Sequence, residues 1–478
     1  MPPTQLVLER FTPIIDSIEW KVGHRYWQVR GTAAFTSNEV PHMVTNDGVR
    51  ASRAADVLFA SCEAAAAEGN LEAEIQVAEL AVGLGLHARL LLDRFQARCQ
   101  EAGVDWYERL TFYATDWSAQ TLQDLVARGT LPAHHEGRVR MGLLNALAPD
   151  QLIDLATGKA TPLSGLRAIV HNYLLAVLPF DLLVHQGEQW LQVQVQTRID
   201  DVQVAAMVSE VPLAELGNLI QGSGDEALDA LVPLYELFCM ERAFFPIDIA
   251  TVPGRAELER FHTEVVLPWL EAHPEAAGQV RILHSRGAMD SLRASLPVLR
   301  DDGFVLLSDY GWTRLEDLLG VKQHQRFGPA TAMGLNFCFL DDQVARDGAR
   351  VQVPSDDDEA SIRARLVSKS ELPATEAAFH QAYATKPLNE LYRLTSAAAE
   401  ATRQGDMVTA SARFAEAHRK FPESWHVLTE AARHATFNGR NPQLGLELAL
   451  RARAINPTAS AQVYNELGDS LYELGRAE

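Results

Sequence analysis

Between about residues 70 and 350, short apolar runs alternate with longer amphipathic windows, and this alternation restricts the fold more than any other feature. Ile75–Leu80 ends in glycines and leads into a helical window over Leu86–Gln100. Leu110–Thr115 is followed by a helix over Ala119–Ala127, and Val139–Leu144 and Leu166–His171 form a third and a fourth strand. Gly303–Ser308, built on Phe304-Val-Leu-Leu307, is the most apolar strand of the chain. Strands separated by helices pair in parallel with helices covering both faces, which predicts an α/β, doubly wound, mostly parallel sheet. Trp190–Thr197 alternates apolar and polar residues and reads as a half-exposed strand near an edge. From about Pro212 to Arg300 the pattern predicts a helical insertion, with helices over Asp225–Glu241 and Arg255–Glu271, covering the ligand-binding edge of the sheet.

Composition excludes several classes. The 478 residues, 47% apolar, suffice for two to four domains at roughly 150 residues each. Acidic residues number 63 against 42 basic ones, and a net charge of −21 repels phosphate backbones, so no nucleic-acid partner is expected. Cys62, Cys99, Cys239 and Cys338 are scattered without a CxxC, as for buried thiols in a reducing compartment. Met1 to Asp16 lacks a basic region followed by an apolar one, and no run of about 18 uncharged apolar residues occurs. A soluble, cytoplasmic, multidomain protein with no membrane contact is expected.

At the C-terminal end Gly405, Ala410, Phe414, Ala417 and Pro422 fall at the spacing of a helix-turn-helix repeat of about 34 residues. Gly439, Gly445, Ala449, Ala452 and Pro457 repeat it with one extra residue at the turn; a third copy, from Ala461 through Leu467, Gly468, Leu471 and Gly475, stops before its second helix. The pattern resembles the tetratricopeptide repeat, an all-α array whose concave groove implies a peptide or protein partner, with a homo-oligomer also possible. The unpaired last helix predicts a longer natural protein, or another molecule covering that end. Upstream, Pro354-Ser-Asp-Asp-Asp-Glu359 reads as a solvated acidic turn in a linker. The expected organisation is an N-terminal segment packing on the core over 1–70, core over 71–211 and 301–353, insertion over 212–300, linker over 354–389 and repeats over 390–478.

The chemistry concentrates at the strand ends. Glu79-Leu-Ala-Val-Gly83-Leu-Gly85 passes from strand into helix, where glycines allow a sharp turn and the helix N-terminus offers free N–H groups to an anion. Asp116 ends the second strand, where doubly wound folds hold ribose hydroxyls, although Asp116 and Ser118 are equally suited to capping the next helix. The Glu79–Gly85 segment resembles the E-x-G-x-G-x-G turn of class I S-adenosylmethionine (SAM) methyltransferases, and more narrowly the MidA-like family, whose mitochondrial members methylate an arginine. Asp116-Trp-Ser118, His171-Asn172-Tyr-Leu-Leu-Ala-Val-Leu-Pro179, Ser308-Asp-Tyr-Gly311 and Gly334-Leu-Asn-Phe337 extend that resemblance, in order, over about residues 35 to 345.

The resemblance implies a Rossmann-like fold and SAM as cofactor, leaving S-adenosylhomocysteine (SAH). It implies that Glu79, Ala81, Gly83, Gly85, Asp116, Ser118 and Asn145 bind the cofactor. Asn172 and Tyr173 would stand beside the transferred methyl, with His171 a candidate base, and Asp309 and Tyr310 would face the acceptor. Three positions depart from the family: Ala81 replaces its first glycine, and Tyr173 and Ala176 replace acidic residues. If those carboxylates grip a guanidinium in relatives, arginine is not the acceptor here. Two functions are therefore open: methylation of a peptide or protein on nitrogen or oxygen, or a degenerate methyltransferase fold that senses SAM or scaffolds through its repeats. The glycines do not fit the G-x-G-x-x-G of nicotinamide enzymes.

Other conspicuous residues read as structural. His134-His135-Glu136 is a polar loop without a third ligand at helical or hairpin spacing, so no metal is expected. Asp341-Asp342 reads as a turn after an apolar strand, and Val44-Thr-Asn-Asp-Gly48 as a strand ending in a tight turn near the pocket.

Overall fold

The computed structural model describes residues 5–37, 39–40, 46–209, 212, 215, 224–277, 280–319, 325–360, 362–458 and 460–476. Nine strands form the main sheet: β1 (Ile75–Leu80), β2 (Leu110–Asp116), β3 (Val139–Asn145), β4 (Ala148–Asp154), β5 (Ala160–Pro162), β6 (Leu166–Asn172), β7 (Leu299–Asp309), β8 (Arg350–Gln352) and β9 (Arg363–Ser368). Their spatial order is β8-β9-β7-β6-β1-β2-β3-β4-β5. The five strands from β7 to β3 run parallel, and β9, β8, β4 and β5 join them through antiparallel pairs. Every residue of β2 is buried, as a parallel strand covered on both faces must be. The chain proceeds outward from β1 through β2 and β3, then returns to β6 on the other side of β1. That reversal leaves a crevice at the carboxyl ends of β1 and β6, where open α/β sheets bind ligands.

Two apolar layers cover the sheet. On one face helices Gly48–Ala67, Leu86–Ala102 and Pro373–Tyr383 bury Phe59, Phe95 and Phe379 against Val77, Phe112 and Leu366. On the other, helices Arg255–Phe261, Arg286–Val298 and Phe337–Arg346 bury Phe261, Leu292 and Phe339 against Ile169, Val305 and Val367.

The insertion is only partly the helical unit expected: the Arg255–Glu271 window is helical, through a π turn at His262–Val266, but the Asp225–Glu241 window is not a single helix. Pro233 sits where the Asp225–Leu231 helix tightens into a 3-10 turn, and the chain continues as the strand Phe238–Pro246. This strand pairs with Gln189–Ile199 along its full length, from Ile199↔Phe238 to Leu191↔Pro246. Gln189–Ile199 is therefore interior to a second, six-stranded antiparallel sheet rather than near an edge. Its own alternation is satisfied by packing one face on Leu182, Leu283 and Trp20.

The 354–389 stretch is likewise no free linker. It carries β9, wholly buried, whose Arg365 lies over the Phe337 ring and pairs with Asp341 at 2.9 Å and Asp357 at 3.0 Å. A guanidinium on a central strand requires counter-charges, and it recruits one from the acidic run that the sequence presented as solvated. Asp341 and Asp342 belong to the helix Phe337–Arg346, not to a turn. Gly48 opens the helix Gly48–Ala67 instead of ending a strand in a tight turn; Val44 and Thr45 lie outside the described residues, as do 213–214, 216–223 and 278–279 of the insertion.

The C-terminal part is all helical: Thr385–Gln404, Met407–Lys420, Trp425–Arg433, Pro442–Ile455 and Ala461–Glu473 pack in consecutive pairs. The first turn closes on Gly405 at φ 78°; in the second, the left-handed position falls on Arg440, the extra residue, at φ 49°. These helices rest on the α/β core. The buried Trp425 indole donates to the Asn46 carbonyl (2.9 Å), the Ser424 hydroxyl donates to Asp47 (2.7 Å), and Trp425 and Leu428 share a cluster with Leu84 and Leu86. No described helix is long and apolar enough to cross a membrane.

Candidate functional site

β1 ends in a turn that only left-handed backbone can make. Ala81, Gly83 and Gly85 have φ of 57°, 52° and 69°, and Gly85 then caps the helix Leu86–Ala102. Ala81 accordingly occupies a conformation that favours glycine, at a cost of about 1 kcal/mol or more. The turn is tied to the end of β2: the Val82 N–H donates to the Thr115 carbonyl (2.8 Å) and the Gly83 N–H to the Asp116 carboxylate (3.3 Å). The other Asp116 oxygen accepts from the Ser118 N–H at 2.9 Å. Burial nevertheless dominates at Asp116 and pushes its carboxyl up to about 6, against these backbone donors.

A cavity of about 490 Å³ opens over this turn. Its floor is Ala81–Leu84, Asp116 and Trp117; the end of β6, Asn172 to Leu174, and Tyr310 beyond β7 form one wall; Trp27 and Phe35 from two N-terminal helices, and Asn46 from the turn before Gly48, close it. A second cavity of about 200 Å³ shares Trp27, Ala81, Trp117, Leu174 and Val177 with the first and extends to Leu144–Leu147 at the end of β3. Tyr173 also stands in left-handed backbone, at φ 59°, anchored by its N–H to the Ser308 carbonyl (2.9 Å). Its ring lies 5.8 Å from that of Tyr310. Burial raises both phenols well above the ordinary tyrosine range, and Asp309 adds to this. Strained non-glycine backbone at both strand tips is a mark of a working site.

Of the expected residues, Ala81, Gly83, Asp116, Asn172, Tyr173 and Tyr310 meet around the larger cavity, and Asn145 lines the smaller one. The others stand behind it. Glu79 is 1% exposed, its Oε1 lies 3.1 Å from His87 Nδ1, and its Oε2 has no partner among the described residues. Ser118 caps the following helix through the Thr121 N–H (3.2 Å) and donates to the Trp27 carbonyl (3.1 Å). Asp309 accepts from the N–H groups of Tyr310 (2.9 Å) and Ala176 (3.0 Å), and burial lifts it to about 7. His171 lies beside Ser295 of the covering helix, and burial drops its imidazole to about 3.

Trp27, Phe35 and Trp117 line the cavity although the sequence reading assigned them no role. Trp117 carried a signal, an aromatic directly after the strand-terminal acid. Nothing local marks Trp27 or Phe35, which arrive from helices Ile18–Arg30 and Ala33–Thr36.

A scan against protein-family profiles matches none, and a search of curated proteins finds no match. Among solved structures the chain is similar to an uncharacterized ACR, COG1565 superfamily protein from Burkholderia thailandensis, at 13% identity and TM-score 0.44, over 76% of this chain and 90% of that one. It is also similar to a COG1565 superfamily member and methyltransferase candidate from Burkholderia thailandensis bound to S-adenosyl-homocysteine. That likeness has 14% identity and TM-score 0.46, over 77% and 90% of the two chains.

Proposed function

We propose that the chain is a SAM-dependent methyltransferase acting on a peptide or protein. The observation carrying this is the left-handed Ala81–Gly85 turn bonded to Asp116 beneath a 490 Å³ cavity at the sheet's switch point. The residues fit the cofactor. A Cβ on Gly83 would come within 3.4 Å of the Phe35 ring across the cavity, so glycine keeps that gap open. Asp116 supplies a carboxylate for paired ribose hydroxyls; Trp117 and the apolar walls up to Asn145 suit a planar base. When bound, SAM supplies an electrophilic methyl group on a sulfonium. The protein's part is then alignment and exclusion of water.

Asn172 and the Tyr173–Tyr310 pair orient the acceptor. Asp116, Tyr173 and Tyr310 are the titratable side chains on the cavity wall among the described residues, and both phenols stay protonated at neutral pH. Asp309 is turned to backbone N–H groups, and Tyr173 and Ala176 replace the family's carboxylates. Among the described residues no anion therefore waits at the β6 and β7 tips to grip a guanidinium, which favours an uncharged nitrogen or hydroxyl as acceptor. Burial of His171 away from the cavity argues against its use as a base. The C-terminal helices, resembling tetratricopeptide repeats and seated on Leu84 and Leu86, would present or sense that partner, in the cytoplasm and in a monomer or homo-oligomer.

That the described cavity wall offers no free imidazole or amine as a base favours a second reading, a SAM sensor that performs no transfer. Calorimetry with SAM and SAH, followed by transfer from a labelled methyl donor, separates the two. Binding abolished by Asp116→Ala, with label transferred, supports the enzyme; binding without transfer to any peptide or protein offered supports the sensor. Failure of both ligands to bind at millimolar concentration refutes both readings.

A further inference from the structure

Outside the lining of either cavity, beside the helix Leu86–Ala102, three side chains converge from two elements about 40 residues apart in sequence. His134 and His135 close the short turn Ala133–His135, and Asp93 comes from the helix. The Nε2 atoms of His134 and His135 lie 2.9 and 3.1 Å from the same Asp93 oxygen, Oδ1. Their ring centroids are 4.0 Å apart, and the three donor atoms all fall within 4.8 Å of one another. Among the described residues this is the one such group of histidines, cysteines and carboxylates.

We propose that Asp93, His134 and His135 form a binding site for a divalent transition-metal ion, with Zn²⁺ the best match. Ligands about 2.0–2.2 Å from a tetrahedral ion stand roughly 3.3 Å from each other, so the present spacing needs only a small opening of the cluster to admit one. Two imidazoles and one carboxylate are a borderline set that suits zinc, and excludes the oxygen-only preference of calcium or magnesium.

The surroundings are those of a held site rather than of loose surface residues. His135 is 1% exposed, and its Nδ1 is hydrogen-bonded to the Tyr107 hydroxyl. That oxygen can accept the Nδ1 proton, which leaves the Nε2 lone pair for an ion. The Arg89 guanidinium stands 3.6 Å from the other Asp93 oxygen, so the carboxylate too is steadied from behind. His134 is half exposed, which supplies an entry path and room for water as the fourth ligand. Arg89 also donates to the Ala454 carbonyl of the C-terminal helices. An ion here would fasten the helix that follows the glycine turn to its neighbours.

The test is calorimetric titration of the untagged, chelator-stripped full chain with Zn²⁺, alongside thermal melts with and without the ion. One ion per chain with a dissociation constant in the micromolar range or tighter, and a melting point raised by Zn²⁺, is the expected result. His134→Ala, at a half-exposed position that burial does not constrain, should weaken binding at least tenfold and abolish the thermal shift. Asp93→Asn should do the same, and Tyr107→Phe should weaken binding about tenfold while leaving its stoichiometry at one. Replacing Zn²⁺ with Co²⁺ should give the visible absorption of a tetrahedral site, lost in His134→Ala. Absence of uptake, or uptake with unchanged affinity in His134→Ala and Asp93→Asn, would overturn the proposal and leave a hydrogen-bond cluster.

Discussion

Replacing Asp116 with asparagine should stabilise the protein while crippling its cavity. Burial lifts the Asp116 carboxyl from 3.8 to about 6. Over roughly two pH units, at about 1.4 kcal/mol each, keeping this group ionised at pH 8 costs the native state about 3 kcal/mol. Because the folded-state value is raised, the native chain binds more protons than the unfolded chain between those values. Stability from this group is therefore full below 3.8 and is lost as pH rises through about 6. Asparagine carries no charge to desolvate, but its single carbonyl oxygen cannot serve both the Gly83 and Ser118 N–H groups at their present positions. That loss removes about 1 kcal/mol. Asp116→Asn should then be about 2 kcal/mol more stable than wild type at pH 8. At pH 5, where much of the wild-type carboxyl is protonated, the advantage should shrink to about half a kcal/mol. Urea denaturation at the two pH values, with wild type and variant side by side, cancels the titration of every other group. Calorimetry should meanwhile show SAH binding weakened by about tenfold or more, the worth of charge-assisted hydrogen bonds. A variant less stable than wild type by the same amount at both pH values would refute the reasoning, because the carboxylate would then be no electrostatic burden.

Three further outcomes follow from single side chains. Trp425→Ala removes a fully buried indole that joins the C-terminal helices to Leu84, Leu86 and Asn46, and should cost about 3–5 kcal/mol in urea denaturation; a loss below 1 kcal/mol would mean the two parts are held elsewhere. Ala81→Gly relieves left-handed strain of about 1 kcal/mol but loosens the unfolded chain by a similar amount, so stability should change by no more than about 0.5 kcal/mol in the same denaturation assay. Tyr310→Phe removes a buried hydroxyl without a partner among the described residues, so melting should be unchanged or slightly raised, whereas the turnover number for methyl transfer should fall about tenfold.

The sequence by itself determined what is local. Ile75–Leu80, the Ala81–Gly85 turn and the helix from Leu86 depend on residues within about one helical turn of each other, so apolar runs and glycines were enough to mark them. Asp116 at the tip of the next strand was legible for the same reason, as was the Gly405 turn of the C-terminal helices. Tertiary structure alone decided what depends on distant partners. Arg363–Ser368 became an interior strand because β7 offered it an open edge and Asp341 and Asp357 neutralised Arg365. Phe238–Glu241, expected as the end of a helix, became part of the strand Phe238–Pro246 because nine residues of Gln189–Ile199 paired with it. Glu79 and Asp309, polar residues at strand tips, turned to His87 and to backbone N–H groups instead of the cavity. His134 and His135, a polar pair without a third ligand in the sequence, found Asp93 on a helix about 40 residues earlier. Periodicity records which face of an element is buried, but only packing decides which neighbour meets that face, and the chemistry of the site lies in those meetings.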